Sequence, residues 1–376
     1  MTARLDNLFR ELREAAGQLL RPAQYMEVCG THTVSFYRSG LRDLVPGNIR
    51  LISGPGCPVC VTAQRHIDAA IALSREPGVI LVTYGDMLRV PGKLGSLEAT
   101  RAAGAQVRVI TSARTALEIA VANPEATVVF LAVGFETTAP ATAATLLEAD
   151  RRNIDNFAVL MCHKLVVPAM LTLLRNKDTA LDGFLCPGHV SVIIGSSAYR
   201  PVVEQYAKPC VVAGFEPEQM LRGILQLVRQ SLAGEARLEN IYQAVVRSDG
   251  NPTAQRLMAE AFVAETTPWR ALGEMPASGL GLAPRFAHFD AVRRFGLTMG
   301  EDEDDPACRC GEVIQGKVQP VECPLFGRGC TPITPIGPCM VSSEGTCAAW
   351  YKYNRPAKDL PQRAERPHAS VTEAVT

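Results

Sequence analysis

Six of the chain's 12 cysteines lie between Cys308 and Cys347, in a stretch rich in proline and glycine. Such a stretch buries little apolar surface, so a metal or a covalent cross-link must hold it together. Its closest pair is C-x-C and the others are widely spaced, which fits a [4Fe–4S] cluster better than the knuckles of a zinc site. Zinc and unliganded core cysteines are the alternatives. Four ligands would come from six candidates, namely Cys308, Cys310, Cys323, Cys330, Cys339 and Cys347.

A second group is the C-x-x-C pair Cys57 and Cys60, which follows the predicted strand Ile49–Ser53 at the start of a predicted helix. Backbone N–H groups at a helix start stabilise a thiolate and lower the pKa of the thiol. The pair therefore suits dithiol–disulfide exchange or the binding of a soft metal. The structural alternative is that both cysteines are small residues that pack a tight Gly-Pro turn.

A third group is Cys29 and His32, which are separated by Gly-Thr. A thiolate and an imidazole at this spacing can hold one metal, or the imidazole can deprotonate the thiol. On spacing alone, a C-x-x-H pair is more often structural. Three further cysteines lie in or beside apolar strands and are predicted to be core residues: Cys162, Cys186 and Cys210.

Glu136 follows an apolar segment in the sequence GFETTAP, and the order strand, Gly-Phe-Glu and helix start recurs at Glu216. Duplication and chance both explain this repetition. Open α/β sheets place their sites at the carboxyl ends of strands, so Glu136 is a candidate site residue. The alternative is a glycine turn whose carboxylate interacts favourably with a helix dipole. His189, in CPGHVS after a strand end, is a weaker candidate.

The elements that must position these residues alternate between β-branched runs and helical patterns. This alternation predicts an α/β class with parallel sheets, and two small sheets fit as well as one. The predicted strands are Ile49–Ser53, Val79–Tyr84, Val107–Thr111, Val128–Val133, Phe157–Cys162, Val190–Gly195 and Cys210–Phe215. The predicted helices are Ala63–Ser74, Ala113–Val121, Ala139–Arg152, Val166–Arg175 and Glu218–Leu232, with helix-like stretches at Thr253–Ala264 and Ala287–Phe295.

Composition excludes several classes of protein. The 38 Lys and Arg balance 38 Asp and Glu, so nothing indicates a nucleic-acid binder. The N-terminus lacks the pattern of a secretory signal, and the apolar runs are far shorter than the ~18–20 residues of a membrane helix. We therefore expect a cytoplasmic protein, in which clustered thiols serve metal or redox chemistry. The acidic run Glu301–Asp305 is predicted to be a solvated loop.

Six segments, taken in order along residues 20–353, resemble the HypD family of [NiFe]-hydrogenase maturation proteins. They are CGTHT (Cys29–Thr33), GPGCPVC (Gly54–Cys60), GFETTAP (Gly134–Pro140), PGHVS (Pro187–Ser191) and the closing CPLFGRGCTP and CMVSSEGTCAAWYKY. The multi-cysteine patterns are long, and they make the resemblance specific.

The resemblance implies two α/β domains and a mainly helical or loop C-terminal domain with a [4Fe–4S] cluster. The expected boundaries are 1–125 with CGTH and CPVC, 126–240 with GFET and PGHVS, and 241–355 for the cluster. The polar tail 356–376 is predicted to be disordered. The family's cluster pattern, C-x14-C-x6-C-x16-C, falls on Cys308, Cys323, Cys330 and Cys347 and leaves Cys310 and Cys339 as bystanders.

The resemblance also implies a function. With the small chaperone HypC, such a protein assembles the Fe(CN)₂CO group of the hydrogenase active site and serves the hydrogenase large subunit indirectly. Cyanide would come from HypE, which is charged by HypF. Cys29, assisted by His32, would hold the iron, Cys57 and Cys60 would form a redox dithiol, and the cluster would relay electrons. Glu136 completes the candidate catalytic set.

Two rival functions remain open from the sequence. The first is a general thiol–disulfide oxidoreductase of the ferredoxin–thioredoxin reductase type, which uses its cluster as an electron source. The second is a scaffold whose cluster is purely structural. In the preferred interpretation the protein is a maturation factor with redox chemistry rather than an enzyme of free turnover.

Overall fold

The computed structural model describes residues 3–175 and 180–353. The predicted tail 356–376 lies outside the described residues. The strands are β1 (Ala23–Glu27), β2 (Ile49–Ser53), β3 (Val79–Thr83), β4 (Val107–Val109), β5 (Thr127–Gly134), β6 (Phe157–His163), β7 (Gly183–Pro187), β8 (Cys210–Ala213), β9 (Leu238–Asn240), β10 (Phe262–Trp269) and β11 (Gly273–Leu282).

Helices connect most of these strands. They are α1 (Ala3–Ala16), α2 (Gly30–Arg38), α3 (Leu41–Leu44), α4 (Pro58–Val61), α5 (Gln64–Ser74), α6 (Leu97–Ala102), α7 (Ala113–Ala122), α8 (Ala139–Arg151), α9 (Val166–Arg175), α10 (Gly188–Ile194), α11 (Arg200–Tyr206), α12 (Pro217–Ala233), α13 (Pro252–Ala261), α14 (Ala291–Arg294), α15 (Cys310–Ile314), α16 (Pro338–Val341) and α17 (Thr346–Tyr353). Short 3₁₀ helices cover Gly85–Arg89, Ser196–Tyr199, Pro284–Phe289 and Pro320–Glu322.

Helix α12 shows why the helical patterns were readable from the sequence. It begins with Pro217 in its first turn, where the missing N–H has no helical partner to lose. It ends at Gly234, which has a positive φ of 65° and accepts the left-handed turn that closes many helices. Its apolar side packs on the first sheet and on α1. The predicted helix Glu218–Leu232 is therefore confirmed within two residues.

Two parallel sheets carry the α/β architecture. The first sheet has the strand order β2-β1-β7-β8-β9, and the second sheet has the order β4-β3-β5-β6. Every pairing in both sheets is parallel. All five positions of β3 are buried, as expected of a strand between two layers of helices. The predicted α/β class with parallel sheets is confirmed.

The predicted boundary between residues 125 and 126 does not separate the two sheets. The chain leaves the first sheet after β2, builds the whole second sheet with β3–β6, and returns to the first at β7, beside β1. A division at residue 125 would cut both sheets, so this prediction is corrected. Periodicity reports the conformation of a strand, but it does not say which strand is its partner.

The predicted strand Val190–Gly195 is wrong, because this segment belongs to helix α10. The strand lies just before it, at β7, and pairs with β1 on one side and β8 on the other. Its five residues are all buried. Tertiary contacts have overridden the β-branched composition of the helix, which ends at Gly195 with a φ of 83°.

Strands β10 and β11 form an antiparallel hairpin, Phe262–Leu282, that the sequence patterns did not predict. The hairpin is tied to the second sheet, because the buried Lys164 ammonium donates to Thr267 Oγ1 and to the Pro268 carbonyl, each at 2.8 Å. Its tip pairs with the Cys57–Cys60 segment through Thr62 and Trp269. The C-terminal region is thus partly a β structure rather than only helices and loops.

One continuous hydrophobic cluster joins these parts. It contains Met26 from the first sheet, Leu81 from the second, Trp269 from the hairpin and Cys339 from the C-terminal segment. None of the helices in the described ranges combines the length and the apolar character that a membrane span needs.

Trp269 is the residue through which the hairpin is anchored. It is 1% exposed, packs on Phe135, and donates from its indole N–H to Ser278 Oγ. We predict that Trp269→Ala lowers the free energy of unfolding by roughly 3–5 kcal/mol, because it opens a large cavity in the core. Urea unfolding of the full chain measures this change.

The matched control is Val263→Ala on the same hairpin, where the side chain is 46% exposed. This variant should change the free energy of unfolding by no more than about 0.5 kcal/mol. Equal effects of the two substitutions would contradict the anchoring role of Trp269.

Candidate functional site

The candidate site lies at the carboxyl edge of the first sheet. Strands β1 and β7 are neighbours there, and the chain proceeds from them to opposite edges of the sheet. Open α/β sheets bind their ligands at such a switch point, outside the carboxyl ends of the strands. Cys29 follows β1, Cys57 follows β2 and His189 follows β7, while Phe215 follows β8. The topology thus brings the CGTH, CPVC and PGHVS motifs to one edge.

Cys29 is buried at the start of α2, immediately before its first helical residue. Burial, with a smaller contribution from the Glu344 carboxylate, raises the pKa of this thiol to about 12, although the N–H groups of His32 and Thr31 partly oppose the rise. Without a ligand the thiol therefore keeps its proton at neutral pH. A cation that binds the sulfur replaces that proton.

His32 is buried next to Cys29 and is electrically neutral. Its Nε2–H donates to the carbonyl of Gly214 at 2.9 Å, so Nδ1 carries the lone pair, and Nδ1 has no hydrogen-bond partner within the described ranges. Burial lowers the pKa of His32 to about 4. The ring also packs on Phe215, with 4.7 Å between ring centroids. His32 therefore offers an unprotonated nitrogen rather than a charge.

Glu344 reaches this cleft from the C-terminal segment, and the sequence analysis did not identify it. Its Oε1 accepts a 2.6 Å hydrogen bond from Thr31 Oγ1. Its charge acts on both Cys29 and His189. One feature of the sequence could have pointed to it, because Glu344 is the one acidic residue between Cys339 and Cys347.

Cys57 and Cys60 form a disulfide across helix α4, with 5.3 Å between their Cα atoms. They are 5% and 0% exposed. The loop that carries them lies against Cys29, because the Gly56 carbonyl accepts from the Gly30 N–H at 3.1 Å. On its other side α4 packs on α16, which contains Cys339. The disulfide thus lies between Cys29 and the C-terminal cysteines.

The C-terminal cysteines surround one cavity, whose other walls are apolar. Backbone N–H groups already point at sulfur, since Ile336 N donates to Cys330 Sγ at 3.3 Å and Cys347 N donates to Cys339 Sγ at 3.2 Å. Such N–H···S contacts are typical of iron–sulfur sites. The cysteines that line the cavity are Cys308, Cys310, Cys323, Cys330, Cys339 and Cys347.

The donor set has the chemistry of an iron–sulfur site. Six cysteine thiols line one cavity, and a [4Fe–4S] cluster needs four thiolates, each on its own iron. The thiols of Cys310 and Cys347 both act on the pKa of the Cys339 thiol, which is raised overall. All six cysteines face the cavity, so the quartet Cys308, Cys323, Cys330 and Cys347 stays a prediction.

Glu136 lies just after the carboxyl end of β5, a strand of the second sheet that contacts the helix of Cys60. Its Oε1 accepts from the N–H of Val166, the first residue of α9, at 2.9 Å. Its other oxygen, Oε2, is buried without a partner in the described structure. Burial raises its pKa to about 7. The contacts thus support the helix-terminus interpretation of Glu136, and its catalytic role stays a prediction.

The acidic run Glu301–Asp305 is an exposed loop, as predicted, and two of its carboxylates also form ion pairs. Asp302 binds the backbone N–H and the guanidinium of Arg65, both at 2.9 Å. Asp304 binds the buried Arg270 at 2.7 Å. These pairs connect the loop to the segment that follows Cys60 and to the tip of the hairpin. The local charge pattern could not reveal the basic partners, Arg65 and Arg270, because both are remote in sequence.

Comparison with known proteins gives this arrangement a family. The family model HypD, described as "Hydrogenase formation hypA family", matches residues 3–354. The chain belongs to the HypD family. It is 45% identical over 353 residues to the hydrogenase maturation factor HypD of Escherichia coli (strain K12), covering 93% of this chain and 95% of that protein.

Two further relatives extend the comparison. The hydrogenase maturation factor HypD of Azotobacter vinelandii is 48% identical over 343 residues, which cover 89% of this chain and 90% of that protein. A putative hydrogenase expression/formation protein of Methanocaldococcus jannaschii is 42% identical over 330 residues, 88% of this chain and 92% of that protein. The resemblance seen in the motifs is therefore confirmed, and the chain is a HypD-type hydrogenase maturation factor.

The cysteine quartet generates one prediction. Alanine substitution of Cys308, Cys323, Cys330 or Cys347 should remove the iron and the visible charge-transfer absorption of the anaerobically purified chain. Each substitution removes the thiolate that would bind one iron of the cluster. Cys310→Ala and Cys339→Ala should retain both signals. Loss of iron in either of these two controls, with retention in a quartet variant, would reassign the ligands.

Glu136 generates a prediction about pH. Its folded pKa of about 7 exceeds the ordinary 4.5, so its contribution to stability is complete below pH 4.5 and is lost as the pH rises through 7. Glu136→Gln stays neutral at every pH. Relative to the wild type, the variant should therefore gain roughly 3 kcal/mol of unfolding free energy between about pH 5 and pH 8.

Urea unfolding at several pH values measures this difference, and Glu125→Gln is the control because Glu125 is exposed. The control should show no such gain over the same pH range. A difference between wild type and Glu136→Gln that is independent of pH would contradict the assignment.

Proposed function

We propose that this protein, together with the chaperone HypC, assembles the Fe(CN)₂CO group of the [NiFe]-hydrogenase active site. The observation that carries the proposal is the contiguity of three sulfur sites. Cys29 lies against the loop of the Cys57–Cys60 disulfide, and α4 packs on the helix of Cys339. Glu344, from the same C-terminal segment, is bound to Thr31 beside Cys29.

In this proposal the iron is the substrate, and Cys29 is its anchor. A thiolate is a soft ligand that suits low-spin iron(II) carrying cyanide and CO. Binding releases the proton of the Cys29 thiol to solvent. His32, whose pKa of about 4 makes it a weak base, would assist through the unpartnered lone pair on Nδ1 rather than by keeping the proton. HypC would supply a further cysteine ligand, and HypE, charged by HypF, would supply cyanide.

The disulfide provides the redox function. Its reduction takes two electrons and two protons and yields the thiols of Cys57 and Cys60. A [4Fe–4S] cluster held by the C-terminal cysteines would supply electrons one at a time. Because α4 touches α16, the route from the cysteine cavity to the disulfide passes through packed protein and needs no diffusing carrier.

Burial of the disulfide argues against the oxidoreductase alternative. A protein that exchanges disulfides with other proteins must let an external thiolate reach one of its sulfur atoms. Cys57 and Cys60 are almost completely enclosed. The arrangement therefore supports internal reduction over general thiol–disulfide exchange.

The test is infrared spectroscopy of the anaerobically purified complex with HypC. The wild type should show cyanide and CO stretching bands, and Cys29→Ala should lose them while it keeps the [4Fe–4S] absorption, because only the iron anchor is removed. The matched control is Cys162→Ala, because Cys162 is also buried but lies in the second sheet. This variant should keep the bands. Retention of the bands in Cys29→Ala would refute the assignment.

A second arm of the same experiment separates the redox role from a scaffold with a structural cluster. In Cys57→Ser the disulfide is absent, so complexes should fail to accumulate the fully ligated iron and hydrogenase should stay immature. Full maturation with Cys57→Ser would favour the scaffold.

A further inference from the structure

Arg270 occupies an unusual position at the tip of the hairpin. It is a charged residue that is only 6% exposed, and its backbone N–H donates to the Val61 carbonyl at 2.9 Å, one residue beyond Cys60. Its side chain binds Gln64 and Asp304. Burying a guanidinium is costly unless the charge is used or paired. Asp304 and Gln64 pair with Nε and Nη2, so Nη1 is the part of the buried guanidinium that still needs an explanation.

Arg270 also lies close to two of the C-terminal cysteines. Nitrogen Nη1 is buried and has no hydrogen-bond partner among the described residues. Arg270 lines one cleft together with Cys308 and Cys310. The hydrogen bond with Cys310 and burial raise the pKa of the Cys308 thiol, and the positive charge of Arg270 opposes that rise. The guanidinium is thus close enough to act on these sulfur atoms.

The position is also rigid. Gln315, just after α15, donates to the Ala271 carbonyl at 3.0 Å, and Gly311 packs so closely on Ala271 that a side chain there would clash. The hairpin tip is therefore locked both to the cysteine segment and to the segment after Cys60. A charge fixed in this way acts at a constant distance.

A fixed cation next to a cluster changes how readily the cluster accepts an electron. One-electron reduction adds a negative charge to the cluster and its thiolates, and a nearby positive charge stabilises that product. Buried charges are poorly screened by salt, so the effect is larger than for a surface arginine. Net charge near the cluster is one of the main determinants of its potential.

We propose that Arg270 is an electrostatic positioning residue that raises the reduction potential of the cluster held by the C-terminal cysteines. Asp304 is its counterweight, because this partly exposed carboxylate offsets part of the guanidinium charge. The proposal rests on the presence of the cluster in the proposed function. It adds that the hairpin adjusts the driving force for electron transfer to the Cys57–Cys60 disulfide.

The experiment is a redox titration of the full chain with dithionite, monitored by electron paramagnetic resonance of the reduced cluster. Arg270→Gln should disfavour reduction at least tenfold, a shift of about 59 mV to lower potential for one electron. Asp304→Asn removes the opposing charge and should shift the potential in the opposite direction. Arg270→Lys keeps the charge and should restore most of the wild-type value.

The matched control is Arg309→Gln. Arg309 is adjacent to Cys308 in sequence, but its guanidinium lies near the surface, paired with Glu312. Its removal should change the reduction equilibrium less than twofold, because solvent screens the charge.

Shifts of the same sign in Arg270→Gln and Asp304→Asn would overturn the proposal, since mere structural damage has no reason to follow the sign of the charge. So would an unchanged potential in Arg270→Gln. If Arg270→Gln loses its cluster, the opposite shifts expected for Asp304→Asn and the recovery in Arg270→Lys decide the question. Absence of a cluster in the wild type would instead overturn the proposed function.

Discussion

The site depends on two places where backbone must approach backbone without an intervening side chain. A Cβ atom on Gly56 would lie 2.3 Å from the Cys29 nitrogen, and one on Gly30 would lie 2.6 Å from Glu344 Cβ. Glycine at these positions lets the disulfide loop and the C-terminal segment close on Cys29 from two sides. Without these approaches the three sulfur sites would belong to separate parts of the molecule.

Charge is distributed unequally over the sulfur sites. Glu344 places a negative charge beside Cys29, which favours a proton or a metal cation on that sulfur. Arg270 places a positive charge beside Cys308, which favours added negative charge there. The surroundings of Cys29 therefore favour the binding of a cation, and the surroundings of Cys308 favour the addition of an electron.

Features that depend on neighbouring residues in the chain could be predicted from the sequence. The order of cysteines, the helix limits set by proline and glycine, and most buried strands were predicted within a few residues. Strands β1, β7 and β9, the pairing of β1 with β7 and the hairpin were missed, because pairing depends on partners that are remote in the chain. Glu344 and Arg270 were missed for the same reason, since each acts on a sulfur far from it in sequence.

Along the chain, the strands of the second sheet lie between β2 and β7 of the first sheet, and this order affects folding during synthesis. All four strands of the second sheet have been synthesised once His163 has been added, so this unit can form before the first sheet is complete. The first sheet must wait for β7, whose residue Gly183 pairs with Tyr25, and that long loop closure slows its assembly. Glu344 and the last cysteines arrive later still. Synthesis from the N-terminus therefore leaves the thiols of Cys29, Cys57 and Cys60 open to their surroundings until the C-terminal segment closes over them, so the nascent chain and the finished protein face oxidants and metals differently.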